Sequence, residues 1–219
     1  MSAIARLLKK SSPPMTEASF DIRRVPPEFQ AAAALLLPLH TQRNGFYAFA
    51  SALHVYGMDT TDETDLLSWN APAGWREEFG ELADGYFAFA EDVFGGQFCV
   101  SAAGFHHFNI ESAQVRPMGE DAEGWAAALI ERYGYWTGFA LAWEWQENNG
   151  PLPRGQRLFP RRPFVLGGDF EVHNLWAGST DDNLGFYGYV ARHLHDVPDG
   201  TAVEIELPNG KTLAGTVSR

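Results

Sequence analysis

The chain is poor in cysteine, poor in positive charge and free of long apolar runs. Cys99 is the single cysteine in 219 residues, so no internal disulfide is available and nothing calls for an oxidising compartment. The longest aliphatic stretch, "AAAALLLPL" from Ala31, is broken by Pro38 and falls far short of the roughly 20 residues a membrane helix needs. The opening "MSAIARLLKKSSPP" puts lysines where a secretory leader needs its apolar stretch. A cytoplasmic protein without a membrane partner is expected. Motifs of covalent and nucleotide chemistry are missing as well: no nucleophile-elbow serine, no glycine-rich phosphate loop followed by lysine, no dinucleotide fingerprint.

Metal-ligand spacing is also lacking. His106 and His107 are consecutive, and neighbours on a strand point to opposite faces, so they do not share an ion with Glu111. His193 and His195 stand two apart on an expected helix, again a poor ligand pair. Cys99, between Phe98 and Val100, sits where burial raises a thiol pKa. Neither a metal, a cofactor nor a catalytic residue is expected.

What the chain does have is apolar mass and unevenly placed negative charge. Apolar residues make up 45% and aromatics 14%, enough for a packed core rather than a disordered chain. The net charge is −12, and from Gly57 to Trp145 there are 16 Asp and Glu against Arg76, Arg116 and Arg132. The other 12 acids nearly balance 13 Lys and Arg, so the acidity belongs to the middle segment. Such a field repels nucleic acid and attracts basic partners. Six tryptophans, at 69, 75, 125, 136, 143 and 145, fall in the same segment. Most suit a core, and one or two left exposed among carboxylates would suit a binding hot spot.

Residues 1–27, with "KKSSPPMTEAS" and "RRVPPEF", show no sustained period and read as a flexible lead-in. Residues 28–149 read as an α+β domain. A helix is expected from Pro27 to about Leu36. Phe46, Phe49, Ala50 and Leu53 fall at i, i+3, i+4 and i+7 and predict a second helix ending before Gly57. "MDTTDETDLLSWNAPAGW" reads as a polar loop. "GYFAFA" and "QFCVS" alternate and predict a β-hairpin over 86–101, with Gly95 and Gly96 supplying positive φ at the corner. "FHHFNI" and "AQVRPM" add short strands, and Asp121 caps a helix carrying Trp125. Residues 150–219 read as an extension packed on the same unit. A Pro- and Arg-rich connector precedes a β-β-α-β pattern: strands in "PFVLGG" and "FEVHNLWAG", a helix in "DDNLGFYGYVARHLHDV", a strand in "TAVEIELPNG".

Within the hairpin corner, Glu91 and Asp92 are consecutive and diverge, which disfavours a general acid–base pair. Val93 and Phe94 either fold back on the core or stand out as an anchor for a partner.

The order of "NGFYAFASALHVYG" as a helix, the hairpin "YFAFAEDVFGGQFCV", the strand "AQVRPM" and the helix from Asp121 resembles the SUKH superfamily, which includes a fungal cell-wall synthesis regulator and many bacterial immunity proteins. The likeness spans about Phe46 to Trp136, and the tail looks like an extension of one bacterial branch. It implies a non-enzymatic binder that blocks a cognate toxin, such as a nuclease or nucleic-acid deaminase. The acidic segment suits a basic toxin cleft, and Glu77, Glu78, Glu81, Asp84, Glu91, Asp92 and Phe94 are the expected contacts. A regulatory scaffold for another cellular protein, and a small hydrolase whose carboxylates converge only in the fold, are the competing expectations.

Overall fold

A computed structural model describes residues 1–61 and 64–219. Asp62 and Glu63, in the expected polar loop, lie outside the described residues. The helices are α1 (Ala3–Leu8), α2 (Pro27–Ala33), α3 (Leu37–His40), α4 (Leu66–Trp69), α5 (Trp75–Phe79), α6 (Ala122–Glu131), α7 (Tyr133–Thr137), α8 (Phe139–Asn149) and α9 (Thr180–Leu194). The strands are β1 (Phe46–Ala48), β2 (Leu53–Val55), β3 (Phe87–Asp92), β4 (Gln97–Ser101), β5 (Gly104–Phe108), β6 (Val115–Gly119), β7 (Gln156–Pro160), β8 (Leu175–Ser179), β9 (Ala202–Glu206) and β10 (Thr212–Thr216). The fold is α+β.

Strands β1 to β6 form an antiparallel sheet in sequence order, each paired with the next. Period-two alternation gives that sheet two apolar faces. Phe98 and Phe105 meet Trp125 of α6 on one face, with ring centroids 6.0 Å away in each case. On the other face Phe108 meets Trp75 and Phe79 of α5 at 5.3 and 5.1 Å. Trp75, Trp125 and all these phenylalanines are buried. Two smaller antiparallel sheets, β7–β8 and β9–β10, complete the C-terminal part, and α9 packs on α5.

The expected hairpin, the strands β5 and β6, and the helices α2, α6 and α9 stand where the pattern put them. The expected helix over Phe46–Leu53 is instead the hairpin β1–β2, pairing Phe46 with Val55 and Ala48 with Leu53. Its turn holds Phe49, Ala50 and Ser51 at φ 53°, 50° and 67°, each costing about 1–2 kcal/mol for a residue with a Cβ. Distant side chains hold that turn: Gln146 donates to the Ala50 carbonyl at 2.9 Å and Arg157 to the Ser51 carbonyl at 2.9 Å. A helical spacing and a fully buried strand share the same short apolar pattern, and tertiary partners decided between them.

Four further expectations change. Residues 1–27 are packed rather than a loose lead-in: Ile4 and Leu7 are buried, and the Ala3 N–H donates to Glu123 of α6 at 2.6 Å. The connector contains β7, and "PFVLGG" is a single 3-10 turn over Phe164–Leu166 rather than a strand. At the hairpin corner only Gly95 has positive φ, at 82°. Gly96 is there for space, since a Cβ would come within 2.4 Å of the Asp92 carboxylate.

Candidate functional site

Trp75 and Phe79 stand one helical turn apart on α5 and anchor it to the sheet, which leaves Glu77 facing solvent. Glu78 lies against α9, where a Cβ on Gly188 would come within 2.4 Å of the Glu78 carbonyl oxygen. The chain then turns through Gly80–Ala83, exposing Glu81 and Asp84. Asp181 and Asp182 are exposed in the first turn of α9, one turn before Gly185, itself beside the Glu78 carboxylate. Arg76, the cation of α5, has its guanidinium 4.2 Å from the Phe29 ring centroid and donates to the Asn70 carbonyl, and its charge also reaches Glu28 and Asp84. Among the described residues Glu77, Glu81 and Asp84 form no salt bridge. Glu81 and Asp84 also wall a shallow groove of about 620 Å³ that includes Gln114 and His195.

Glu91 is not part of this ridge. Its residue exposure is 2%. One carboxylate oxygen accepts from His54 Nδ1 at 3.0 Å and Arg157 Nε at 2.7 Å, and the other from the Thr180 hydroxyl at 2.7 Å. Burial pushes the Glu91 carboxyl up, but the Arg157 charge and the hydrogen bonds from His54 and Arg157 outweigh it and hold it at about 2. Tyr47 stacks on the His54 ring at 4.3 Å, and the Arg157 guanidinium lies over Tyr47. Glu91 thus joins β2 and β3 to β7 and the start of α9, an interior tie between the sheet and the C-terminal part.

Asp92 does diverge from Glu91, to the opposite face, and it too is buried, at 6% exposure. One of its oxygens accepts from the Phe94 and Gly96 N–H groups at 2.7 and 2.9 Å, and the other meets His107 Nε2 at 2.8 Å. His106, one residue earlier, meets the Ser101 hydroxyl at 2.9 Å on the other face, so the two histidines separate. Phe94 is half-buried, edge-on to Phe164 at 5.2 Å. The contacts expected of Glu91 and Asp92 with a partner therefore need correction on burial: strand alternation carries both inward, where fold groups already occupy their oxygens.

Asp92, His107 and Phe94 line a cavity of about 560 Å³ that also takes in Glu111, Trp136 and Phe170. Glu111 is 7% exposed and accepts from the Val165 N–H at 2.7 Å. Burial raises its carboxyl to about 7, against the backbone N–H groups of Val165 and Phe164, which lower it. Burial likewise pushes the Cys99 thiol well above its ordinary range. Among the described residues no three His, Cys, Asp or Glu side chains converge to hold a metal ion. Arg157, His54 and Thr180 escaped the sequence reading because nothing links them until the chain folds. The one available signal was Arg157 inside "QRLFP", a lone cation in an otherwise strand-like run.

No protein-family model matches this chain, and no curated protein matches it. Among solved structures, Atu4351 from Agrobacterium tumefaciens is similar, with a TM-score of 0.50 over 96% of this chain and 98% of that one. At 12% identity the likeness shows a shared fold. Among the described residues no helix is long and apolar enough to cross a membrane.

Proposed function

We propose that this chain is a non-enzymatic binding protein of the immunity type, which neutralises a cognate secreted or polymorphic toxin in the cytoplasm by covering a basic cleft. The observation that carries this reading is the ridge of Glu77, Glu81 and Asp84, exposed, free of salt bridges among the described residues and continued by Asp181 and Asp182. Exposed carboxylates on one edge speed encounter with a basic partner and disfavour nucleic acid itself. The resemblance to SUKH proteins supports the same reading through the hairpin and the helix from Asp121, though its first element is a hairpin here. A nuclease or deaminase domain, built to grip polyanions, is the partner class that fits.

A hydrolase with converging carboxylates is less well supported. The Asp92 oxygens are taken by two backbone N–H groups and His107, and the Glu91 oxygens by Arg157, His54 and Thr180. The test is co-expression with the toxin candidate encoded beside this gene, scored as rescue of growth. Glu77→Lys, Glu81→Lys and Asp84→Lys together are expected to abolish rescue while the protein still folds. Rescue undiminished in that triple variant removes the ridge from the account.

A further inference from the structure

The cavity beside β5 and β6 has a second property that the ridge does not explain. Glu111, more than nine-tenths buried, lines it without a salt bridge among the described residues. A buried carboxylate lacking a counter-charge is costly to ionise unless a cation comes to it. The walls around it are aromatic. Phe164 and Phe170 stack at 3.9 Å with 8° between planes, Phe94 meets Phe164 edge-on, and Trp136 packs against Tyr135 at 4.9 Å. Phe170 is 65% exposed at the mouth, a place where a large apolar ring has nothing to gain alone.

The two arginines of the cavity do not satisfy Glu111. Arg116 donates to the Tyr135 hydroxyl at the rim, and Arg219 is engaged by the carbonyls of Leu194 and Val197 and by Asp199. Asp92 is already matched to His107. The position is also telling: Gln114 lines both this cavity and the groove walled by Glu81 and Asp84, so the cavity opens next to the ridge.

We propose that this cavity receives the cationic tip of a basic side chain, arginine or lysine, presented by the partner that the ridge attracts, with Glu111 as its counter-charge and Phe94, Trp136, Phe164 and Phe170 as its aromatic walls. This rests on the proposed function above. Aromatic faces attract cations, and guanidinium groups stack on them. Because burial holds the Glu111 carboxyl at about 7, an arriving cation also displaces its proton. Affinity for a cation therefore rises with pH through neutrality, with Asp92, His107, Arg116, Tyr135 and Arg219 the other titratable or charged groups facing the space.

Titration calorimetry with N-acetyl-arginine amide tests this without the partner. Saturable binding is expected with a Kd on the order of 1 mM, and none with N-acetyl-glutamine amide. Glu111→Gln keeps an acceptor oxygen for the Val165 N–H and is expected to weaken binding about tenfold. Phe170→Ala, at an exposed position, weakens it as well. Absence of saturation, equal binding by Glu111→Gln, or a preference for N-acetyl-glutamate amide read by Arg116 overturns the proposal. If the probe fails while growth rescue still depends on the ridge, the cavity is removed and the binding function stands. If the probe binds while rescue ignores the ridge, the cavity chemistry stands and the functional reading beneath it falls.

Discussion

Replacing Glu91 by alanine is the sharpest test of how the molecule is held together. The change leaves the Arg157 guanidinium in a site where its side chain is 0% exposed, with one nitrogen, Nη2, already lacking a partner. Breaking a buried pair from one side costs about 3–5 kcal/mol. A separate route gives the same size. The Glu91 carboxyl drops from 4.5 to about 2 on folding, which corresponds to about 3 kcal/mol of stability at neutral pH. The sign follows from the direction: this contribution is fully present above the unfolded value and is lost as pH falls toward about 2. Thermal denaturation at neutral pH measures the loss, which should appear as a Tm lowered by about 6–20 °C for a chain of this size. Replacing both partners, as Glu91→Leu with Arg157→Met, should recover most of it, because an apolar pair of similar volume needs no charge compensation. Hydrogen exchange in the single variant should speed first at β7 and at the start of α9, the elements that Glu91 ties to the sheet. A loss below about 1 kcal/mol, the value of a solvent-exposed pair, would refute the reasoning and return Glu91 to the surface.

Titration should also show two opposed slopes. Burial raises the folded Glu111 carboxyl from 4.5 to about 7, so the folded state holds an extra proton between those values and stability falls by about 3 kcal/mol as pH rises across them. Burial lowers the His40 ring from 6.5 to about 4, so the unfolded state holds the extra proton there and stability rises with pH. The two nearly cancel where they overlap, and Glu111→Gln should expose the rising limb in urea melts between about pH 4.5 and 6.5; an unchanged profile counts against the burial of Glu111. Gly188→Ala should cost about 1–3 kcal/mol by forcing α9 off the Glu78 carbonyl, read as a shift of the urea midpoint. Ile4→Asp should destabilise by a similar amount or more, because Ile4 is 1% exposed; a neutral result would restore the loose lead-in.

The parts of this fold that were legible in the sequence are those where one local signal pointed one way. Alternation in "GYFAFA" and "QFCVS" fixes β3 and β4, and Asp121 before "AEGWAAALI" fixes α6. The β1–β2 hairpin was illegible because its turn uses Phe49, Ala50 and Ser51 where glycine or asparagine would have announced it. Strand β7 hid behind Pro153 and Pro160, and its Arg157 has no local reason to be buried. The candidate site follows the same rule. Glu77, Glu81 and Asp84 belong to a short helix and the turn after it, where solvent exposure is readable from Trp75 and Phe79. Glu91 and Asp92 lie on a strand whose two faces are both covered, so no local pattern tells a surface carboxylate from an interior one.

The count of sixteen acids between Gly57 and Trp145 therefore overstates the field this protein presents. Glu91, Asp92 and Glu111 are inside, Asp65 and Asp121 cap helices, and Glu123 holds the start of α1. What reaches solvent on one edge is a narrower ridge, and that narrowing bears on the proposed binding. Charges spread over the whole surface attract a partner without orienting it, and beyond roughly 8 Å salt screens them. Under the proposed function, a ridge from α5 into the turn after it, next to an aromatic cavity that shares Gln114 with its groove, would divide the work: exposed carboxylates would set the rate and direction of encounter, and a desolvated contact in the cavity would set how long the complex lasts.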